Sequence, residues 1–528
     1  MDSKDEYLEQ PELRERICEM LTIGNSLRMT AKRVPEDPAL TFEDRDYTYA
    51  ELDAAVDRTA AVLRERGLGR GDRALIMATN SDCYILALYA VERLGGISVP
   101  VNPLAAAPEV AYMLEDSGAH IFIYDPSIEE TVRGIEDLGI PTNVAHLLCL
   151  GPTIRHTDLM AAADEQGSIT VEEVATEDDD ALIMYTSGTT GRPKGVLLDH
   201  KRSMTVAVAA VAMLGQRVGD RLLHVAPLYH AAALGVQLIP GMLLGAKHIV
   251  QAGFDPVRVV DTMEREKVTM FFGPPTMYQL ILKVPGIGSR DLSAWRTGLY
   301  GAAPMPKSVI EAMFETFPQT DFVQFAGQTE AGPGGIYLTG EQSRERPGTS
   351  GRQAFLFLEV RVIDADGVDV SPGDTGEMIL RGLTIMKEYW GKPEATAAAF
   401  TPDGWLRTGD LVRLDPDGYM TMVDRLKDLI ITGGLNVYSV EVENALAAHP
   451  DILDVAVVSR PHETYGESIV AVVVPVDGKH VDLESIREFC ADKLSKYKIP
   501  HAVEVLEQLP RNPSGKILKH RLRDLISD

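Results

Sequence analysis

A chain of 528 residues, 45% hydrophobic and 24% charged, is long enough for several buried cores and has the balance of an ordinary globular protein. Its net charge of −27, from 51 basic against 78 acidic side chains, argues against a nucleic-acid partner and against a polybasic membrane anchor, while leaving room for a local basic cleft. The four cysteines, Cys18, Cys83, Cys149 and Cys490, are widely spaced, match no metal-binding pattern and suit a reducing compartment. Met1-Asp2-Ser3-Lys4-Asp5 is polar and acidic, unlike a secretory signal, and the longest apolar stretch, 206–214, is too short to span a bilayer. A cytoplasmic protein with no transmembrane segment is expected.

In chain order, Thr48-Tyr49-Ala50-Glu51 has the form of a capping box, and Leu52, Val56, Ala60 and Leu63 continue at helical spacing to Gly67. Residues 74–77 predict a strand, 83–94 a helix and 97–101 a strand, an alternation that points to α/β architecture with parallel strands. The acidic stretch 160–180 reads as a solvated connection. Apolar runs at 181–185 and 196–198 flank a polar loop, as in a strand–loop–strand element. A helix over 203–214 and strands at 221–225, 248–250 and 271–272 follow, and then hairpin strands at 360–364 and 378–381, separated by turn residues. The last hundred residues predict helices at 440–449, 483–494 and 517–526 and strands at 455–459, 469–474 and 502–506. Cys490 shares a helical face with Ile486, Phe489 and Leu494 and is expected to be buried. No repeat of 20–50 residues is visible. The fold expected is a large N-terminal domain, 1–424, of stacked α/β subdomains plus a small β-rich subdomain, followed by a small mobile α+β domain, 425–528.

The loop between the flanking strands reads Thr186-Ser187-Gly188-Thr189-Thr190-Gly191-Arg192-Pro193-Lys194-Gly195, with five hydroxyl or lysine side chains and three glycines in ten positions. Glycines let backbone N–H groups approach a ligand, and hydroxyls and a lysine add donors for anionic oxygens. That is the chemistry of a phosphate cradle. It is not a Walker A loop, because no Gly-Lys-Ser/Thr triplet opens a helix.

With Gly301-Ala302-Ala303-Pro304, Gln324-Phe325-Ala326-Gly327-Gln328-Thr329-Glu330, Trp405-Leu406-Arg407-Thr408-Gly409-Asp410, Asp424-Arg425-Leu426-Lys427-Asp428 and Pro510-Arg511-Asn512-Pro513-Ser514-Gly515-Lys516, in that order, the loop resembles the motif series of the adenylate-forming superfamily. That superfamily holds acyl-CoA synthetases, adenylation domains of peptide synthetases and firefly luciferases. The resemblance runs from Thr48 to Lys516, and is greatest to stand-alone acyl-CoA synthetases. It implies ATP, Mg²⁺ and coenzyme A as cofactors and a small carboxylic acid as substrate. It assigns Thr186, Ser187, Gly188, Thr189, Thr190 and Lys194 to the phosphates, Thr329 to the α-phosphate and Glu330 to Mg²⁺, which accepts one or two carboxylates plus phosphate oxygens. Gly301, Ala302, Ala303, Phe325, Ala326 and Gly327 would line the adenine site. The family's usual Tyr is absent at Ala326, and Phe325 and Tyr300 are the candidates to replace its ring. Asp410 would accept from both ribose hydroxyls, with Arg425 beside it. Lys427 falls at the family's hinge. Lys516 would bridge the substrate carboxylate and the α-phosphate, and Gly433 and Gly434 would border the path of the thiol, where Leu435 departs from the polar residue often seen.

Pro227-Leu228-Tyr229-His230 resembles the motif at the acyl-site mouth, which places His230 there and Tyr229, Ala231, Ala232, Gly301 and Gln328 along the acyl pocket. Amino-acid-activating relatives carry an Asp near this position, but 227–240 holds no acidic residue here. A buried ammonium needs a carboxylate partner, so an apolar acid, medium or long in chain or bulky and ring-bearing, is expected. The chain ends soon after Lys516, and an attached carrier domain is not expected. Alternatives are an adenylating enzyme that loads a separate carrier protein, a luciferase-like monooxygenase, and a non-catalytic nucleotide sensor on the same fold. The joint presence of Lys516, Glu330 and Asp410 argues against the sensor.

Overall fold

The computed structural model describes residues 21–141, 143–186, 192–511 and 517–526. In the strand Arg73–Met77, Ala74 and Ile76 pack into one core and Leu75 and Met77 into another. Successive side chains point to opposite faces, so a strand apolar at every position needs cover on both sides. The surrounding sheet has eight strands. Its parallel run joins Asp180–Thr186, Ile97–Val101, Arg73–Met77, Ile121–Tyr124, His146–Cys149 and Thr157–Asp158. Lys194–Asp199 and Glu388–Tyr389 add antiparallel at the other end.

A second sheet of nine strands repeats the design. Leu222 and Phe272 face the first core, and Leu223 and Phe271 face a third. The helices Ile23–Arg33, Tyr49–Glu65, Asp82–Arg93 and His200–Met213 bury their apolar faces in the first core, between the sheets. Ala107–Ser117 and Glu129–Leu138 cover the outer face of the eight-stranded sheet. Pro256–Arg265, Pro275–Ile281 and Lys307–Thr316 cover that of the nine-stranded sheet. Five layers result. The capping box at Thr48 forms as the sequence predicts, with Thr48 Oγ1 accepting from the Glu51 amide and the Glu51 carboxylate accepting from Thr48 N at 2.8 Å.

Beyond these layers, Leu358–Ile363, Thr375–Gly382, Leu406–Leu414 and Met420–Arg425 form an antiparallel four-stranded sheet. A last sheet has Gly466–Pro475 at its centre, with Ile452–His462 along one side of it. Cys490 is buried in the core beneath it. The helix predicted over 483–494 stops at Cys490, whose carbonyl accepts from the amides of both Lys493 and Leu494 and closes a turn. The sequence patterns do not announce that Pro38–Phe42 pairs with Lys247–Val250 and that Arg45–Thr48, paired with Pro38–Phe42, forms the edge of the nine-stranded sheet. No helix among the described residues is long and apolar enough to cross a membrane.

The N-terminal helix is moored by buried charge. Asp57 accepts from Arg28, from Arg93 at 3.0 Å and from the Val171 amide at 3.0 Å. Thr22, which caps the helix, donates to Glu173 at 2.8 Å. Burial pushes the Glu173 carboxyl up to about 7, against the Thr22 hydrogen bond and the charges of Arg93 and Arg28. A folded value above the ordinary 4.5 means that protonation favours the folded chain. The contribution is whole below about pH 4.5 and is lost as pH rises through about 7. Urea unfolding across this window is expected to show stability falling with pH, and Glu173→Gln should remove a part of that fall on the order of 3 kcal/mol.

Candidate active site

The strands Asp180–Thr186 and Lys194–Asp199 set Thr186 opposite Lys194 at the stem of the hairpin expected to hold phosphate. Ser187, Gly188, Thr189 and Thr190 lie outside the described residues, and so does Lys516. In the other sheet, the strand Asp321–Gly327 runs out into one helical turn, Thr329–Ala331, which presents Thr329 and Glu330. The two sheets meet here. Thr186 Oγ1 donates to Glu330 Oε1 at 3.1 Å, and the Tyr389 hydroxyl donates to the same oxygen at 3.0 Å. Lys194 Nζ sits 4.7 Å from the centre of the Tyr389 ring. Burial, with the Glu330 charge beside it, pushes the Tyr389 hydroxyl far above its ordinary value and keeps it a donor.

A lone carboxylate is a hard oxygen ligand of the kind Mg²⁺ accepts when phosphates supply others. Among the described residues no group of three or more His, Cys, Asp or Glu side chains is placed to hold a metal by itself. The donor set therefore fits an ion carried in with a phosphate ligand, with Glu330 as the protein oxygen.

Gly301 and Gly327 end neighbouring parallel strands, and backbone crowds both. A Cβ on Gly301 would lie 2.3 Å from the Phe325 carbonyl oxygen, and one on Gly327 would lie 2.3 Å from that of Pro333. Ala302 takes φ +66, a left-handed conformation rare outside glycine and found where a turn is tightly determined. It leaves Ala302 and Ala303 exposed past the strand end, and Ala326 half-buried nearby. Neither proposed replacement ring turns outward. Tyr300 is fully buried with its hydroxyl 3.3 Å from Ser343 Oγ, and Phe325 packs on Phe272 at 5.5 Å in the inter-sheet core.

Asp410 is buried on the strand Leu406–Leu414, opposite Arg425, and the two form an ion pair at 3.3 Å. Gly409 takes φ +68, and its amide donates to Glu377 at 3.1 Å, while Arg407 donates to the other Glu377 oxygen at 2.6 Å. Glu377 thus braces the bulge at Thr408-Gly409-Asp410 in that strand. It was not legible in the sequence, because its partners lie thirty residues away across a strand pair.

His230 caps the short helix Ala231–Ala233 by accepting from the Ala232 amide at 3.3 Å. Ala231 and Ala232 are buried, and burial pushes the Tyr229 hydroxyl up to about 12. The helix continues into a wide turn, Leu234–Leu238, an irregularity frequent at functional sites. The side-chain amide nitrogen of Gln328 is buried without a hydrogen-bond partner among the described residues. Lys427 is exposed in the connection between the last two sheets, its carbonyl accepting from Arg523 at 3.4 Å. Gly433 and Gly434, at φ +58 and +79, make the two-residue turn between Ile430–Thr432 and Leu435–Val437, a geometry that favours glycine at both places. That hairpin belongs to the last sheet, not to either sheet that carries Thr186 or Glu330.

This arrangement of a Thr/Gly-rich hairpin, a Thr-Glu turn and a Thr-Gly-Asp bulge has relatives. Residues 27–390 match the model of the AMP-binding enzyme family, and 441–516 match its C-terminal domain. The chain belongs to this adenylate-forming family and is an acid–thiol ligase. It is 39% identical to a feruloyl-CoA synthase of an Amycolatopsis species, over 93% of this chain and 96% of that one. It is 36% identical to the long-chain-fatty-acid–CoA ligase FadD13 of Mycobacterium tuberculosis, over 96% and 99%. Among solved structures, the anthranilate CoA ligase AuaEII in complex with anthranoyl-AMP superposes with a TM-score of 0.86, at 26% identity, over 96% of this chain and 97% of that one.

The crowding at Gly301 gives a direct test. Backbone cannot retreat as a flexible side chain can, so Gly301→Ala is expected to cost about 3 kcal/mol, the upper end for an overpacked site. A matching drop in the thermal unfolding midpoint is the measurement. An unchanged midpoint would show that the strands Thr297–Gly301 and Asp321–Gly327 separate more easily than the 2.3 Å between a Gly301 Cβ and the Phe325 oxygen implies.

Proposed function

We propose that this ligase activates an apolar carboxylic acid, long in chain or bulky and ring-bearing, with ATP, and transfers the acyl group to coenzyme A. The observation that carries the reading is the meeting of Thr186 and Glu330 at 3.1 Å, which brings a phosphate hairpin and a metal-competent carboxylate to one point. In the first step a substrate carboxylate oxygen attacks the α-phosphorus of ATP, the bond to the bridging oxygen breaks, and pyrophosphate leaves. In the second, the thiol sulfur attacks the acyl carbon, AMP leaves and the thiol proton is lost.

The hydroxyls of residues 186–190 and the Lys194 ammonium hold the outgoing phosphates, and Thr329 donates to the α-phosphate. Asp410 and Arg425 hold the ribose end. Glu330 would hold Mg²⁺, which supplies positive charge to the phosphates. The Lys516 ammonium draws two anions, carboxylate and α-phosphate, into contact and offsets their repulsion. Lys427 serves as the hinge for residues 425–528, and Gly433 and Gly434 leave room for the thiol. The acyl chain lies along Tyr229, Ala231 and Ala232, with His230 at the mouth and Gln328 near the carboxylate. The acid-free run 227–240 supports an uncharged acyl group.

ATP–pyrophosphate exchange over a panel of acids tests the substrate class. Long-chain or aromatic acids are expected to support exchange, and a strong preference for acetate or free amino acids overturns the reading. Running the second step with coenzyme A and with a pantetheinylated carrier protein separates the two acceptors. Lys516→Ala is expected to lower exchange by roughly 10²–10³-fold, because one charge contact in the transition state is lost. It should leave thioester formation from a supplied acyl adenylate intact. Equal loss in both steps would remove Lys516 from the role assigned to it.

A further inference from the structure

We infer that Tyr389 is a positioning residue that fixes the Glu330 carboxylate relative to the phosphate hairpin. This rests on the reaction proposed above, since it gives that carboxylate its work. The strand Glu388–Tyr389 lies on the hairpin's second strand, with Tyr389 opposite Val196. The Trp390 amide donates to Gly195 O at 2.7 Å, and the Lys387 amide to Leu197 O at 3.0 Å. One residue earlier, the Met386 amide donates to the Glu330 carbonyl at 2.9 Å. Residues 386–390 are thus tied to the hairpin at one end and to the Glu330 turn at the other.

The far side is anchored too. Asp116 accepts from Lys392 at 2.5 Å, from Tyr185 at 2.9 Å and from Tyr112 at 3.1 Å, and the Tyr112 hydroxyl lies 3.2 Å from the Pro193 carbonyl. The strap therefore holds both ends of the hairpin stem, Tyr185 and Pro193, through one carboxylate.

At its centre the Tyr389 ring makes two contacts with opposite charges. Its hydroxyl donates to Glu330 Oε1, and its face lies under the Lys194 ammonium. An incoming triphosphate repels a carboxylate and attracts an ammonium. A neutral donor on the carboxylate stabilises its charge and fixes its orientation, while the ring holds the ammonium without neutralising it. Tyr389 thereby keeps the two groups apart, so that Lys194 is not consumed in an ion pair with Glu330.

The test uses the whole chain with Tyr389→Phe and Tyr389→Leu. Mn²⁺ binding in the presence of ATP and without acid is counted by electron paramagnetic resonance, and the Mg²⁺ dependence of pyrophosphate exchange is measured alongside. Tyr389→Phe should weaken Mn²⁺ binding about tenfold, as expected when a partner orienting a metal-binding carboxylate is lost. It should move the Mg²⁺ midpoint by the same factor and leave the unfolding midpoint and thioester formation from supplied acyl adenylate unchanged. Tyr389→Leu should in addition raise the KM for ATP, because Lys194 loses its ring. Metal titrations of Tyr389→Phe that match the wild type overturn the inference. So does an equal loss of both half-reactions with a lowered unfolding midpoint, which is what a purely structural role produces. If the wild type exchanges pyrophosphate with no acid, the proposed reaction falls instead, and the Mn²⁺ titration still decides the role of Tyr389.

Discussion

Two sheets that share no strand have to be held in one register at the place where their parallel strands end, and the hydrogen bond from Thr186 to Glu330 does this at 3.1 Å. Thr186 closes a strand of the eight-stranded sheet, and Glu330 follows a strand of the nine-stranded one. Gly301 and Gly327 end their strands at the same margin of the nine-stranded sheet, paired through the Gly301–Phe325 register. Parallel strands send their carboxyl ends in one direction, and ligands of open α/β sheets gather outside those ends. The buried helices between the sheets set the separation that the Thr186 and Tyr389 contacts with Glu330 then span.

That constraint explains why small residues cluster where they do. At the strand ends, the backbone of the next strand at Gly301, and of the following loop at Gly327, comes to 2.3 Å of where a side chain would begin, so both glycines are steric requirements first. The exposed turn at Ala302 and Ala303 follows from the same crowding, because the chain has to leave the sheet sharply. The two rings nearest in sequence, Tyr300 and Phe325, are both committed to cores instead. They stabilise the strands from within and leave the exposed margin to Ala302 and Ala303.

Much of this was legible in the sequence. The capping box at Thr48, the hairpin on either side of the phosphate loop and the buried Cys490 all rest on local pattern, and each is found where the pattern puts it. What was not legible depends on pairing across long distances. The strands at 38–48 join a sheet whose other members begin at residue 221, and nothing in their composition names that partner. Tyr389 sits in a two-residue strand, too short for any alternation to show. Asp116 gathers a tyrosine one turn back on its own helix and, from two other places in the chain, Tyr185 and Lys392. Periodicity reports which face of an element is buried, and it carries no information on what is buried against it.

The connection between the last two sheets shows how a few charges fix a short segment without a core of its own. Asp424 ends the four-stranded sheet, buried, and its Oδ2 accepts from both the amide and the hydroxyl of Ser439. Lys519 donates to that same hydroxyl at 2.6 Å and pairs with Glu443 at 2.7 Å. Four residues on, Arg523 pairs with Asp428 at 2.6 Å. Lys519 and Arg523 are one helical turn apart on the final helix, so one face of that helix holds both ends of the segment 424–428. Leu426 and Lys427, between those ends, stay exposed. Breaking a buried ion pair costs far more than breaking one in water, so Lys519–Glu443 and Arg523–Asp428, both largely shielded, are strong grips. The final helix, which begins three residues past Lys516, is therefore oriented by Asp424 before any ligand arrives.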